Sequence, residues 1–237
     1  MEPAAAGVQS TPALPAPSVR PATHTLPTPS ATAALRASPA AALPVSTVTR
    51  VNARLVVIGS STGGPKALQT VIEQLPANLP VPVVVAQHMP PQFTFALAKR
   101  LNETCKINVV ELADNMPMQA GTVYIAPGGQ HTRVSINTLK VADDKGESLY
   151  KPSVDVLAES VASVYGKQTL AVMLTGMGND GMREFVKLHG LGAHVIAQDK
   201  DSCVVYGMPK AVVEAGGANE VLPVEAIGRR IATLLGV

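Results

Sequence analysis

With 237 residues, 46% of them hydrophobic and only 15% charged, the chain is long and apolar enough for one α/β domain with a substantial core plus some further sequence. Its net charge of +2 sits in residues 1–50, where Arg20, Arg36 and Arg50 face Glu2 alone, while the rest balances 16 basic against 16 acidic residues. Balanced charge, 3% aromatics and no Trp exclude a basic or base-stacking nucleic-acid surface.

The two cysteines, Cys105 and Cys203, form no CxxC pair. That pattern fits neither a secreted disulfide framework nor a zinc site, and it suits a reducing cytoplasmic compartment. The opening MEPAAAG lacks a basic segment followed by an apolar one, so no signal peptide is expected. No apolar run reaches the roughly 20 residues of a membrane-spanning helix.

Residues 1–50 hold nine prolines and thirteen alanines with almost no large apolar periodicity. Such a stretch buries too little to offset its ordering entropy and reads as a Pro/Ala-rich disordered linker or tail. From residue 51 to 237 the texture is that of a folded domain. RLVVIG reads as a buried strand, and Pro65–Leu75 as an amphipathic helix. A strand over Val81–His88 and a helix over Gln92–Asn102 follow, then strands at INVVEL and TVYIAP. HTRVSINTLKVAD predicts a small β-hairpin turning near Asn137-Thr138. A helix is expected over Ser153–Tyr165, a strand over Thr169–Leu174, a helix over Gly181–His189 and a strand at AHVIAQ. PKAVVEAG and VEAIGRRIATLL end the chain as helices. Wholly apolar strands alternating with amphipathic helices predict a doubly wound, mostly parallel α/β sheet with helices on both faces. Ligands of such sheets sit beyond the carboxyl ends of the strands, here after Ile58, Gln87 and Leu174.

Gly59-Ser60-Ser61-Thr62-Gly63 fits G-x-S-x-G between a strand and a helix. A sharp turn with small flanking residues would lift the Ser61 hydroxyl above the sheet edge, where the helix N-terminus favours developing negative charge. The same turn also suits a phosphate-cradling loop, and from this loop alone the two readings fit equally. GxxxxGK[ST] and G-x-G-x-x-G are both absent. A serine needs a base. Of five histidines, His24 lies in the tail, His189 and His194 flank a turn at the opposite sheet end, and His131 opens the hairpin. His88 follows VPVVVAQ at a strand's carboxyl end, on the rim expected for Ser61. Asp180, in LTGMGNDG after another strand, is the best fit for the acid that orients the imidazole; the alternative is an N-cap of the following helix, and both roles are compatible. Asp114, Asp199 and Asp201 lie in loops without comparable placement. The order Ser61, His88, Asp180 differs from that of α/β-hydrolases.

GSSTGGP, QHMPPQF, YIAPGGQH, KPSVDVL, LTGMGNDG and SCVVYGMP together resemble the catalytic domain of the CheB chemotaxis methylesterases, in the same order from about Arg54 to the C-terminus. The resemblance implies a serine hydrolase acting on glutamate methyl esters of methyl-accepting chemoreceptors in chemotactic adaptation. Methanol is released, and certain receptor glutamines are deamidated by the same chemistry. It implies a catalytic triad of Ser61, His88 and Asp180, a backbone amide at Met177 offered to the oxyanion, and Thr62 bordering the nucleophile. No metal or cofactor is implied, and the expected partner is the cytoplasmic domain of a chemoreceptor. Family members usually carry a receiver domain upstream of the esterase. Residues 1–50 contain no aspartate to accept a phosphate and resemble only the linker between the two.

Overall fold

The structure, a computed structural model, describes residues 50–142 and 148–237. The expected tail, save Arg50, lies outside the described residues. The apolar runs become the strands of one parallel sheet, because a strand covered on both faces needs apolar side chains on both. β1 (Leu55–Ser60), β2 (Val83–Gln87) and β8 (Thr169–Met173) are buried along their whole length. They are flanked by β9 (His194–Gln198) and β10 (Glu220–Leu222) on one side. On the other side lie β5 (Thr122–Ile125) and β3 (Asn108–Glu111). The order is β10-β9-β8-β1-β2-β5-β3, with every pairing parallel.

Alternating side chains feed two cores. Val56 and Ile58 of β1 pack with α1 (Gly64–Ile72), α2 (Pro91–Thr104) and α6 (Val224–Leu235). Leu55 and Val57 point the other way, toward α3 (Val154–Val164), α4 (Met182–Gly190) and α5 (Met208–Glu214). A three-stranded antiparallel sheet, β4 (Met116–Pro117), β7 (Thr138–Ala142) and β6 (His131–Ser135), contributes Val134 and Leu139 to that second core.

The predicted hairpin is β6–β7. Its two-residue turn is Ile136-Asn137 with Ser135 facing Thr138, and Asn137 takes the left-handed conformation at φ 57° that asparagine tolerates. Two strands went unpredicted, β4 and β10. Each is two or three residues long, too short for any alternation to register. α1 stops at Ile72, three residues before its predicted end at Leu75, and the chain leaves it through turns. The chain runs outward from β1 to β2 and to β3 at the edge, fills the place between them with β5, then crosses to β1's other side at β8. That reversal opens the crevice at the carboxyl ends of β1, β2 and β8.

Candidate active site

The strand-end loops are drawn together by one buried polar side chain. Gln87 closes an otherwise apolar strand. Its Oε1 accepts from Ser60 Oγ at 2.7 Å, and its Nε2 donates to the carbonyls of Ser61 and His88, both at 2.9 Å. His88 N–H donates to the Ser60 carbonyl and Ser61 N–H to that of Thr175, each at 3.0 Å. Ser61, half-buried, therefore sits between the ends of β2 and β8. The glycines after it are steric requirements. Gly63 stands at φ 81°, and a Cβ there would lie 2.6 Å from the Val204 side chain; a Cβ on Gly64 would collide with the Gln87 amide.

His88 and Asp180 meet directly. Nε2 of the imidazole lies 2.7 Å from Asp180 Oδ2, with the two side chains only 7% and 9% exposed. Asp180 also accepts from Val154 N–H at 2.7 Å, Asp155 N–H at 3.1 Å and Ser153 Oγ at 2.8 Å. Burial pushes its carboxyl pKa up, but the hydrogen bonds from His88, Val154, Asp155 and Ser153 outweigh that and hold it below the ordinary value. Asp180 is thus a carboxylate, and it fixes the proton of neutral His88 on Nε2. Nδ1 is left as the lone-pair nitrogen, buried and without a hydrogen-bond partner among the described residues. The alternative role for Asp180, a cap of α4, is not taken: Gly181 is the N-cap there, at φ 91° with no side chain to bond, and Asp180 binds the first two N–H groups of α3.

The loop after β8 approaches Ser61 closely. A Cβ on Gly176 would come within 2.8 Å of Ser61 Cβ. Gly176 is tied to the 205–208 segment by its own N–H to Val205 and by its carbonyl to Gly207 and Met208. Beyond it Met177 is 64% exposed, and Thr62 is exposed on the Ser61 side. Among the described residues no hydrogen bond engages the backbone N–H of Thr62 or Met177. The structure therefore brings His88 and Asp180 into contact and sets Ser61, Thr62 and Met177 on the same rim. The Ser61 hydroxyl is not hydrogen-bonded to the imidazole.

The other histidines fall elsewhere. His131 is buried and its Nδ1 accepts from Ser153 N–H at 3.4 Å, beneath the start of α3. His194 lies at the opposite sheet end on Glu220, 2.7 Å away, and His189 lines a cavity there with it. Three neighbours were not singled out from the sequence. Gln87 had a signal, as the one polar residue of its strand. Ser153 had another, as a serine directly before a helix, whose hydroxyl accepts Val156 N–H. Tyr150, stacked on His88 with ring centroids 4.2 Å apart and planes 7° from parallel, had none. Among the described residues no cluster of three or more His, Cys, Asp or Glu is arranged to hold a metal ion, and no helix is long and apolar enough to cross a membrane.

Comparison with known proteins bears on this rim. A family model described as CheB methylesterase matches residues 56–231. The chain is 50% identical over 188 residues to a protein-glutamate methylesterase/protein-glutamine glutaminase of Pseudoalteromonas translucida, covering 77% of this chain and 48% of that protein. It is 46% identical over 186 residues to one of Archaeoglobus fulgidus, covering 77% of this chain and 53% of that one. It is also similar to the crystal structure of the Thermotoga maritima CheB methylesterase catalytic domain, at 43% identity and a TM-score of 0.71, over 77% of this chain and 98% of that one. The chain spans about half the length of the curated relatives it matches.

Proposed function

Since the chain belongs to the CheB methylesterase family, we propose that its strand-end rim is a serine-esterase site. In this reading it hydrolyses glutamate γ-methyl esters on the cytoplasmic domain of methyl-accepting chemoreceptors and deamidates selected glutamines there. The observation that carries this reading is the buried His88–Asp180 pair beside the Ser61 turn.

The chemistry follows from the protonation state of that pair. Nδ1 of His88 takes the Ser61 proton as Oγ attacks the ester carbonyl, and Asp180 on Nε2 holds the imidazolium that forms. The ring is thus used the other way round from the chymotrypsin type, where the aspartate binds Nδ1. The tetrahedral oxyanion faces the backbone N–H groups of Thr62 and Met177. On collapse, the proton on Nδ1 passes to the departing methoxide and methanol leaves. Water, deprotonated by the same nitrogen, then frees the glutamate and Ser61. With a glutamine substrate the leaving group is ammonia and the remaining steps are the same.

The experiment is methanol release from methylated chemoreceptor. Ser61→Ala should abolish release above background while the chain remains folded. Near-parental release from that variant would remove Ser61 from the mechanism. Turnover of small esters with none on receptor would keep the chemistry and discard the protein substrate.

A further inference from the structure

We propose that Tyr150 is a positioning residue for this reaction, a flat clamp that holds the His88 imidazole in the plane required for proton transfer. The proposal rests on the reading of His88 as the general base. One hydrogen bond, Nε2 to Asp180, fixes a single point of the ring. The torsion that turns an imidazole about its Cβ–Cγ bond is broad, so that bond alone lets the ring roll and swings Nδ1 away from Ser61. The Tyr150 ring lies parallel to the imidazole, 4.2 Å away and tilted by 7°, and closes one face to such a roll. Its π face also favours the cation present while His88 carries the serine proton.

The segment that carries Tyr150 is held at three points. Ser148 Oγ donates to the Tyr150 carbonyl at 3.0 Å and accepts its N–H at 3.4 Å. The Lys151 carbonyl takes Gly129 N–H at 3.0 Å. Three residues on, Ser153 donates to Asp180. One segment therefore touches both members of the pair: the ring of one and the carboxylate of the other. Across the stack, the phenol oxygen lies 3.6 Å from where a Cβ on Gly178 would stand, so the ring spans from the imidazole to the loop carrying Met177. The flat face, not the hydroxyl, does the clamping.

The test compares Tyr150→Phe with Tyr150→Leu in the full chain, by methanol-release kinetics and by NMR of the His88 ring protons. The Phe variant should keep kcat within about 3-fold and retain the upfield ring-current shift of His88. The Leu variant, of similar bulk without a flat face, should lose about 10- to 100-fold in kcat with KM nearly unchanged, and lose the ring-current shift. Should the Leu chain fail to fold, Tyr150→Met takes its place. Equal kcat in the Phe and Leu chains, or a His88 ring-current shift that persists in Leu, overturns the clamp. If the parent chain releases no methanol the functional reading fails, and the NMR comparison alone still decides the stacking role.

Discussion

Four donors and no acceptor converge on Asp180: Val154 N–H and His88 Nε2 on Oδ2, Asp155 N–H and Ser153 Oγ on Oδ1. Asp180→Asn must turn its NH₂ group against one of those pairs whichever way it is placed. The loss should be about 1–3 kcal/mol of stability, read by denaturant unfolding. Methanol release should fall by on the order of 10³- to 10⁴-fold, because the imidazole loses the partner that fixes its tautomer. An Asn chain with near-parental release would show that the tautomer is set elsewhere. The sign with pH follows from the same bonds. Asp180 titrates lower in the fold than in the unfolded chain, so its stabilisation is complete above the ordinary carboxylate value of about 3.9 and is lost as pH falls through its depressed folded value. The parent should therefore lose stability steeply below pH ~4, and the Asn chain should lose less over that window; identical acid curves would argue against the assignment. The nearness of His88 and Asp180 is legible because His88 directly follows buried β2 and Asp180 lies in the loop that leaves buried β8 at the same sheet end. Tyr150 follows the hairpin rather than a sheet strand, and no local pattern marks a ring that stacks on a residue 62 positions earlier.

Two helices exchange their caps. The N-cap of α4 is Gly181, which has no side chain to satisfy the helix N-terminus, and Asp155 of α3 supplies the acceptor for Glu184 N–H at 3.1 Å. In return Asp180, just before α4, satisfies Val154 and Asp155 at the start of α3. The site aspartate is thus anchored by an element remote in sequence, which explains why the local sequence also offers it as a cap of the helix that follows, a role it does not take. Burial pushes the Asp155 carboxyl up, helped by the neighbouring Asp180 charge, against the hydrogen bonds from Glu184 and Gly181 and the charge of Arg183. A raised folded pKa means the charged form is disfavoured by folding, a penalty present at neutral pH and relieved as pH falls through the folded value. Asp155→Asn keeps an oxygen for Glu184 and removes that penalty, so its stability should match or exceed the parent's. Asp155→Ala removes the acceptor and should cost about 1 kcal/mol. Thermal melts of the three chains decide it, and Asn falling below Ala would contradict the exchange.

At the scale of the whole fold, the alternation along β1 explains both what was readable and how the domain holds together. Apolar strands and amphipathic helices predicted a parallel sheet covered on both faces, and the site rim follows from the reversal of strand order at β1 and β8. The short strands β4 and β10 escaped because their pairing depends on where longer strands already lie. Successive β1 residues serve opposite cores, Val56 and Ile58 one, Leu55 and Val57 the other, so neither core can loosen without disturbing the strand they share. Phe185 on α4 and Ile227 on α6 are both fully buried, one in each core. Phe185→Ala should cost about 3–5 kcal/mol and Ile227→Ala about 2–5 kcal/mol, each through lost burial and the cavity left behind. For a domain of this size that lowers Tm by roughly 10 °C. Because the sheet is common to both, each variant should still melt in one transition, with calorimetric and van't Hoff enthalpies in agreement. A second transition in either variant would mean that the two faces unfold separately, and that the strands do not couple them.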